Sequence, residues 1–61
     1  MTNKAKAPTV SAINAEIRWT KQYIRMILEA KRNGDYASAA ELANYISAGW
    51  ATISGDFEDA E

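Results

Sequence analysis

Three basic side chains, Arg18, Lys21 and Arg25, recur at spacings of three and four residues. On a helix this spacing places them on one face, where they could bind the phosphates of RNA, DNA or a nucleotide. The same pattern is also typical of a solvated face that keeps a protein soluble. Charge is unevenly distributed: residues 1–34 carry seven bases and two acids, whereas residues 35–61 carry six acids and no base. The net charge of −1 therefore hides a strong dipole.

Aromatic residues are the second group that could bind a partner. Trp19, Tyr23, Tyr45 and Trp50 are a high aromatic load for 61 residues, and Trp, Tyr and Arg dominate binding energy at protein interfaces. The alternative interpretation is that they only pack in a core or between subunits. Tyr45 leaves the apolar face of its helix, so we expect it to be exposed. Phe57 stands among acids and could anchor a docking segment, although such segments often serve solubility alone.

The chain contains few of the side-chain combinations that enzymes commonly use for catalysis. The chain has no cysteine and no histidine, which removes disulfides, the commonest metal ligand and every nucleophile–histidine pair. Glu16 is isolated among apolar positions, where it could reach solvent or fix the register of an oligomer. No Gly-rich phosphate loop is present. We therefore predict that the protein is not an enzyme and has no metal site and no cofactor.

Two helices must position these groups. After Pro8, the stretch 9–33 contains good helix formers and neither Gly nor Pro. Asn33-Gly34-Asp35 predicts a break, because Gly34 can adopt the left-handed conformation that ends a helix and Asp35 can cap the next one. A second helix is expected at about 36–53, ended by Ser54-Gly55. The short connection makes the two helices antiparallel.

Around this hairpin the sequence predicts a flexible basic arm at 1–8, a helical domain at 9–55 and a flexible acidic tail at 56–61. On a helical wheel the first helix has two apolar stripes with Glu16 between them. One stripe holds Ile13, Ile17, Ile24, Ile27 and Leu28, and the other Ala12, Trp19, Tyr23, Met26 and Ala30.

The second helix can cover only one of these stripes, because one helix packs along one groove of another. The uncovered stripe would expose several hundred Å² of apolar surface, which is unusual for a monomer. We therefore predict a homodimeric four-helix bundle or a higher oligomer. Its expected interface residues are Ile13, Ile17, Trp19, Tyr23, Ile24, Met26 and Trp50.

Two resemblances bear on this expectation. Residues 34–39, Gly-Asp-Tyr-Ala-Ser-Ala, resemble the turn inside a tetratricopeptide unit, but the pattern of that family's preceding helix is not matched. We interpret this as shared hairpin chemistry. The layout of a helical hairpin with an acidic tail also resembles the plasmid protein Rop, and that resemblance implies a dimeric bundle that binds RNA.

The sequence thus favours a small cytoplasmic protein with no membrane segment. We expect it to bind and modulate a macromolecular partner, most simply by inhibiting another protein. By analogy with other small hairpins, it could be a phage or mobile-element accessory protein. Arg18, Lys21, Arg25, Tyr45 and Phe57 are its expected contact residues. Three alternatives stay open: a nucleotide sponge at subunit interfaces, a Rop-like RNA-binding bundle, and a structural virion or scaffold component.

Overall fold

The computed structural model describes residues 7–60 and contains two α-helices, α1 (Val10–Arg32) and α2 (Tyr36–Ala60), packed against each other as a hairpin. This confirms the prediction of an all-α antiparallel hairpin. Helix α1 begins where expected: the hydroxyl of Thr9 accepts a hydrogen bond of 3.0 Å from the backbone N–H of Ala12. This contact satisfies one of the amides that the first turn leaves without a partner.

The turn between the helices forms as predicted, with Gly34 in the left-handed conformation that ends α1. Gly34 has a φ of 72°, and its N–H donates to the carbonyl of Lys31 at 3.0 Å. The N–H of Asp35 donates to the carbonyl of Ala30 at 2.8 Å, which completes the closure of α1. The Asp35 carboxylate then accepts a hydrogen bond of 3.2 Å from the N–H of Ser38 and so caps α2.

Helix α2 is longer than the sequence predicted. The expected end at Ser54-Gly55 was wrong, because the helix continues through Asp56 to Ala60. Gly55 does not have a positive φ, so it does not form a C-cap. A glycine inside a helix costs only about 1 kcal/mol relative to alanine, and no proline follows to force an end. The residues assigned to a flexible acidic tail are therefore helical up to Ala60.

At the other end of the chain, most of the predicted basic arm lies outside the described residues. Ala7 and Pro8 precede α1 and have no regular secondary structure.

The helices meet along a seam with alternating spacings of three and four residues, as in antiparallel coiled coils. Every residue of the seam is half-buried except Ala30, which is buried at 8% exposure. Among the residues described, no other side chain is buried. The seam consists of Ile13, Glu16, Thr20, Tyr23, Ile27 and Ala30 of α1, and Ala39, Leu42, Ile46, Gly49 and Ile53 of α2.

This seam runs between the two apolar stripes of α1 and takes members from both. Ile13 and Ile27 come from one stripe and Tyr23 and Ala30 from the other. Helix α2 therefore covers neither stripe completely. An uncovered apolar flank remains on each side of the hairpin.

Candidate partner-binding surfaces

Two contacts across the seam set how the helices face each other. The indole Nε1–H of Trp50 donates a hydrogen bond of 2.7 Å to the hydroxyl of Thr20. One turn away, the Glu16 carboxylate lies against Gly49, where a Cβ atom would come within 2.5 Å of Glu16 Oε2. Gly49 thus leaves room for a half-buried carboxylate that a larger residue would have to displace.

An aromatic cluster lies on one side of the seam, which we call the Tyr45 flank: Trp19, Tyr23, Met26 and Tyr45. The rings of Trp19 and Tyr23 are stacked with centroids 6.1 Å apart, and Tyr23 contacts Tyr45 across the helices at the same centroid distance. Trp19 remains 58% exposed and Tyr45 56%. Trp19 and Tyr45 therefore each contact Tyr23 while most of their own surface stays in water, and together with Met26 they form an exposed apolar patch.

The opposite side of the seam is the Ile24 flank, and it is mostly aliphatic on α1. Its α1 residues are exposed, Ile24 at 47% and Leu28 at 50%. On α2, the hydrogen bond from Trp50 to Thr20 places Trp50 on this side of the seam. The other α2 residues of the flank lie at seven-residue intervals from Trp50 and therefore share its face of the helix. The flank consists of Ile17, Ile24 and Leu28 of α1 with Tyr36, Ala43, Trp50 and Phe57 of α2.

The outward face of α1 carries the bases. Arg18, Lys21 and Arg25 are all exposed, as the sequence predicted for a solvated or ligand-binding face. Arg32 follows Arg25 by seven residues and forms an ion pair with Glu29 at 3.5 Å, with both side chains largely in water. An exposed pair of this kind contributes roughly 0–1 kcal/mol, so it does little to hold the fold.

The predicted site residues therefore divide into separate groups. Ile13, Tyr23 and Trp50 lie in or beside the seam within one chain, where each is half-buried. The other expected interface residues stay exposed on the two flanks, and so do the expected partner contacts Tyr45 and Phe57. Whether any of them contacts a second molecule stays a prediction.

Neither Gly49 nor Thr20 was assigned a role from the sequence. Both could have been found from the heptad spacing alone, because Gly49 stands seven residues after Leu42 and Thr20 seven after Ile13.

In the turn, hydrogen bonds lower the pKa of the Asp35 carboxyl group. The hydroxyl and the backbone N–H of Ser38 bond the Asp35 carboxylate and hold its pKa below the usual value of 3.8, against a smaller opposing effect of desolvation. Within residues 7–60 no cavity forms and no group of three or more acidic side chains is placed to hold a metal ion. Neither helix, over the residues described, has the length and apolar character needed to cross a membrane.

Comparison with known proteins yields no relative: no family model, no curated protein and no solved structure matches the chain.

Proposed function

We propose that this protein is a non-enzymatic helical hairpin that associates with itself and acts by binding another protein. One observation carries the proposal: the seam leaves an apolar flank open on each side. Covering several hundred Å² of such surface is worth on the order of 10 kcal/mol before the costs of association, at about 25 cal/mol per Å². A core of this size supplies only a few kcal/mol by itself.

The two flanks suit different occupants. The Ile24 flank is aliphatic on α1, as are the interiors of helical bundles, and on α2 it combines Ala43 with larger aromatic residues. The Tyr45 flank combines Trp, Tyr and Met, the residue types enriched in protein–protein interfaces. Its border on α2 carries an acid, because Glu41 lies one turn before Tyr45. An acid at this position favours a protein over a nucleic acid, whose phosphates Glu41 would repel.

Self-association is tested by measuring molar mass with light scattering. The wild-type chain should have at least twice the mass of 6.7 kDa. Ile24→Glu should disperse it to monomers, because a charge on the flank would be buried without a counter-ion. The matched control, Gln22→Glu, adds the same charge to the outward face of α1 and should keep the wild-type mass. A wild-type monomer at high micromolar concentration would refute this half of the proposal.

Partner binding is tested by comparing captured proteins between two double variants. Trp19→Ala/Tyr45→Ala removes the two most exposed rings of the Tyr45 flank, whereas Gln22→Ala/Asn44→Ala changes exposed residues outside both flanks. A genuine partner should bind the control as it binds the wild type and lose affinity at least about 10-fold for the ring variant. If every captured protein binds the two variants equally, the Tyr45 flank is not the binding site.

A further inference from the structure

Helix α2 has no charge on any side along its central stretch. From Leu42 to Gly55 every residue is apolar, small or uncharged, although only one face of α2 packs against α1. Surface helices normally carry charged residues on the face opposite the core, and this stretch of α2 carries none. In the hairpin, however, no residue of α2 is fully buried. The composition of α2 is therefore that of a helix with neighbours on more than one side.

The Ile24 flank supplies one such side, and it spans both helices. The hydrogen bond between Trp50 and Thr20 sets the register of the antiparallel pair. In that register Ile24 lies about level with Ala43, seven residues before Trp50, and both belong to the flank. A long aliphatic side chain on α1 thus stands beside a small one on α2, so at this level the flank has a projection at Ile24 and a gap at Ala43, between Tyr36 and Trp50.

We infer that a second copy of the chain covers the Ile24 flank, with α1 of each protomer lying against α2 of the other. This rests on the self-association proposed above and specifies its geometry. The Ile24 side chain of one copy then fits the gap at Ala43 of the other, between Tyr36 and Trp50. All neighbouring helices in the resulting four-helix bundle run antiparallel, and the two-fold axis is parallel to them.

Charge decides against the other face-to-face arrangement, in which α1 would pack on α1 of the second copy. Lys21 lies at the midpoint of α1 and at the outer edge of the Ile24 flank, with Arg25 beside it. Two antiparallel α1 helices would bring the Lys21 ammonium groups of both copies together with no acid on that edge. Placed against α2, the same bases meet the uncharged stretch from Leu42 to Gly55.

The absence of cysteine from the chain makes disulfide trapping a clean test. The proposed arrangement places Ile24 of one copy opposite Ala43 of the other, within disulfide reach. Ile24→Cys and Ala43→Cys proteins are prepared separately, mixed in the reduced state and oxidised at a concentration where light scattering shows the oligomer. Most of the disulfide-linked product should be the mixed dimer, which intact mass spectrometry distinguishes from either homodimer.

The matched pair is Ile17→Cys mixed with Ile24→Cys. Packing of α1 on α1 about the midpoint of the helix would place these two positions opposite each other, so we expect this mixture to give little linked product. Preferential linkage of this pair, or of Ile24→Cys with itself, would overturn the inference while leaving self-association intact. An oligomer in which none of these pairs links would also overturn it. A monomeric wild-type chain would instead refute the underlying self-association.

Discussion

Helices α1 and α2 have similar lengths, but their outer faces differ in charge. Outside the seam and the flanks, α1 presents Arg18, Arg25 and Arg32 at seven-residue intervals, and these keep its outer face in water. The outer face of α2 presents mainly alanine, serine and asparagine between Glu41 and Asp56. The two helices are therefore not equivalent halves of a hairpin: α1 has the charged outer face of a surface helix, whereas α2 has the uncharged surface on which the proposed self-association rests.

The largest effect should come from placing a charge in the seam. Ile46→Asp puts a carboxylate at a half-buried position of α2 and should cost about 3 kcal/mol or more, close to the whole stability expected of so small a core. Circular dichroism should show loss of most helicity. The control, Asn44→Asp, adds the same charge to the exposed face of α2 and should change stability by less than about 0.5 kcal/mol. A well-folded Ile46→Asp variant would mean that the helices are not held together at this seam.

The contrast between the helices could be predicted in part from the sequence. Gly34 and Asp35 identify the turn because their preferences act within four residues, and Thr9 identifies the start of α1 for the same reason. The residues of α1 that contact α2 were harder to predict, because α1 has two apolar stripes and the seam takes residues from both. The position of Glu16 opposite Gly49 depends on the register of two helices, which a pattern read along one helix does not contain.

The predicted end of α2 was wrong for a different reason. A glycine near a helix end is compatible both with a cap and with continued helix, and the difference in free energy is only about 1 kcal/mol. Gly34 and Gly55 look alike in the sequence, each preceding an aspartate. They differ in φ, and only Gly34 adopts the left-handed conformation.

The next largest effect should separate the two tryptophans. Trp50→Ala removes a half-buried ring and its hydrogen bond to Thr20, so we expect a cost of about 2–3 kcal/mol, below the 3–5 kcal/mol of a fully buried ring. Trp19→Ala, at an exposed position, should cost less than about 1 kcal/mol. Trp50→Phe isolates the hydrogen bond and should cost about 1 kcal/mol. Urea unfolding measures all three, and equal costs for the two alanine variants would contradict the division between seam and flank.

Two glycine substitutions should act in opposite directions. Gly34→Ala forces a Cβ into a positive φ of 72° and should destabilise the hairpin by about 1 kcal/mol. Gly55→Ala meets nothing within 4 Å inside α2 and should stabilise it by about 0.5–1 kcal/mol through helix propensity. Thermal unfolding followed by circular dichroism measures both. If Gly55→Ala destabilises the protein instead, the helix does not continue through this residue.

The smallest effect should be the pH dependence of the turn. Hydrogen bonds from Ser38 lower the pKa of Asp35 in the folded protein. The stabilising contribution of this carboxylate is therefore present above the pKa of the unfolded state, near 3.8. It is lost as the pH falls through the lower pKa of the folded state. Between pH 6 and pH 2 the melting temperature of the wild type should therefore fall further than that of Asp35→Asn, whose side chain can still cap α2 but does not titrate. The difference between the two proteins removes the contribution of the other acids. Ser38→Ala keeps the backbone donor and loses the hydroxyl, so its pH dependence should lie between the two. Identical pH profiles for the wild type and Asp35→Asn would show that the cap acts through its dipole alone and not through the carboxylate charge.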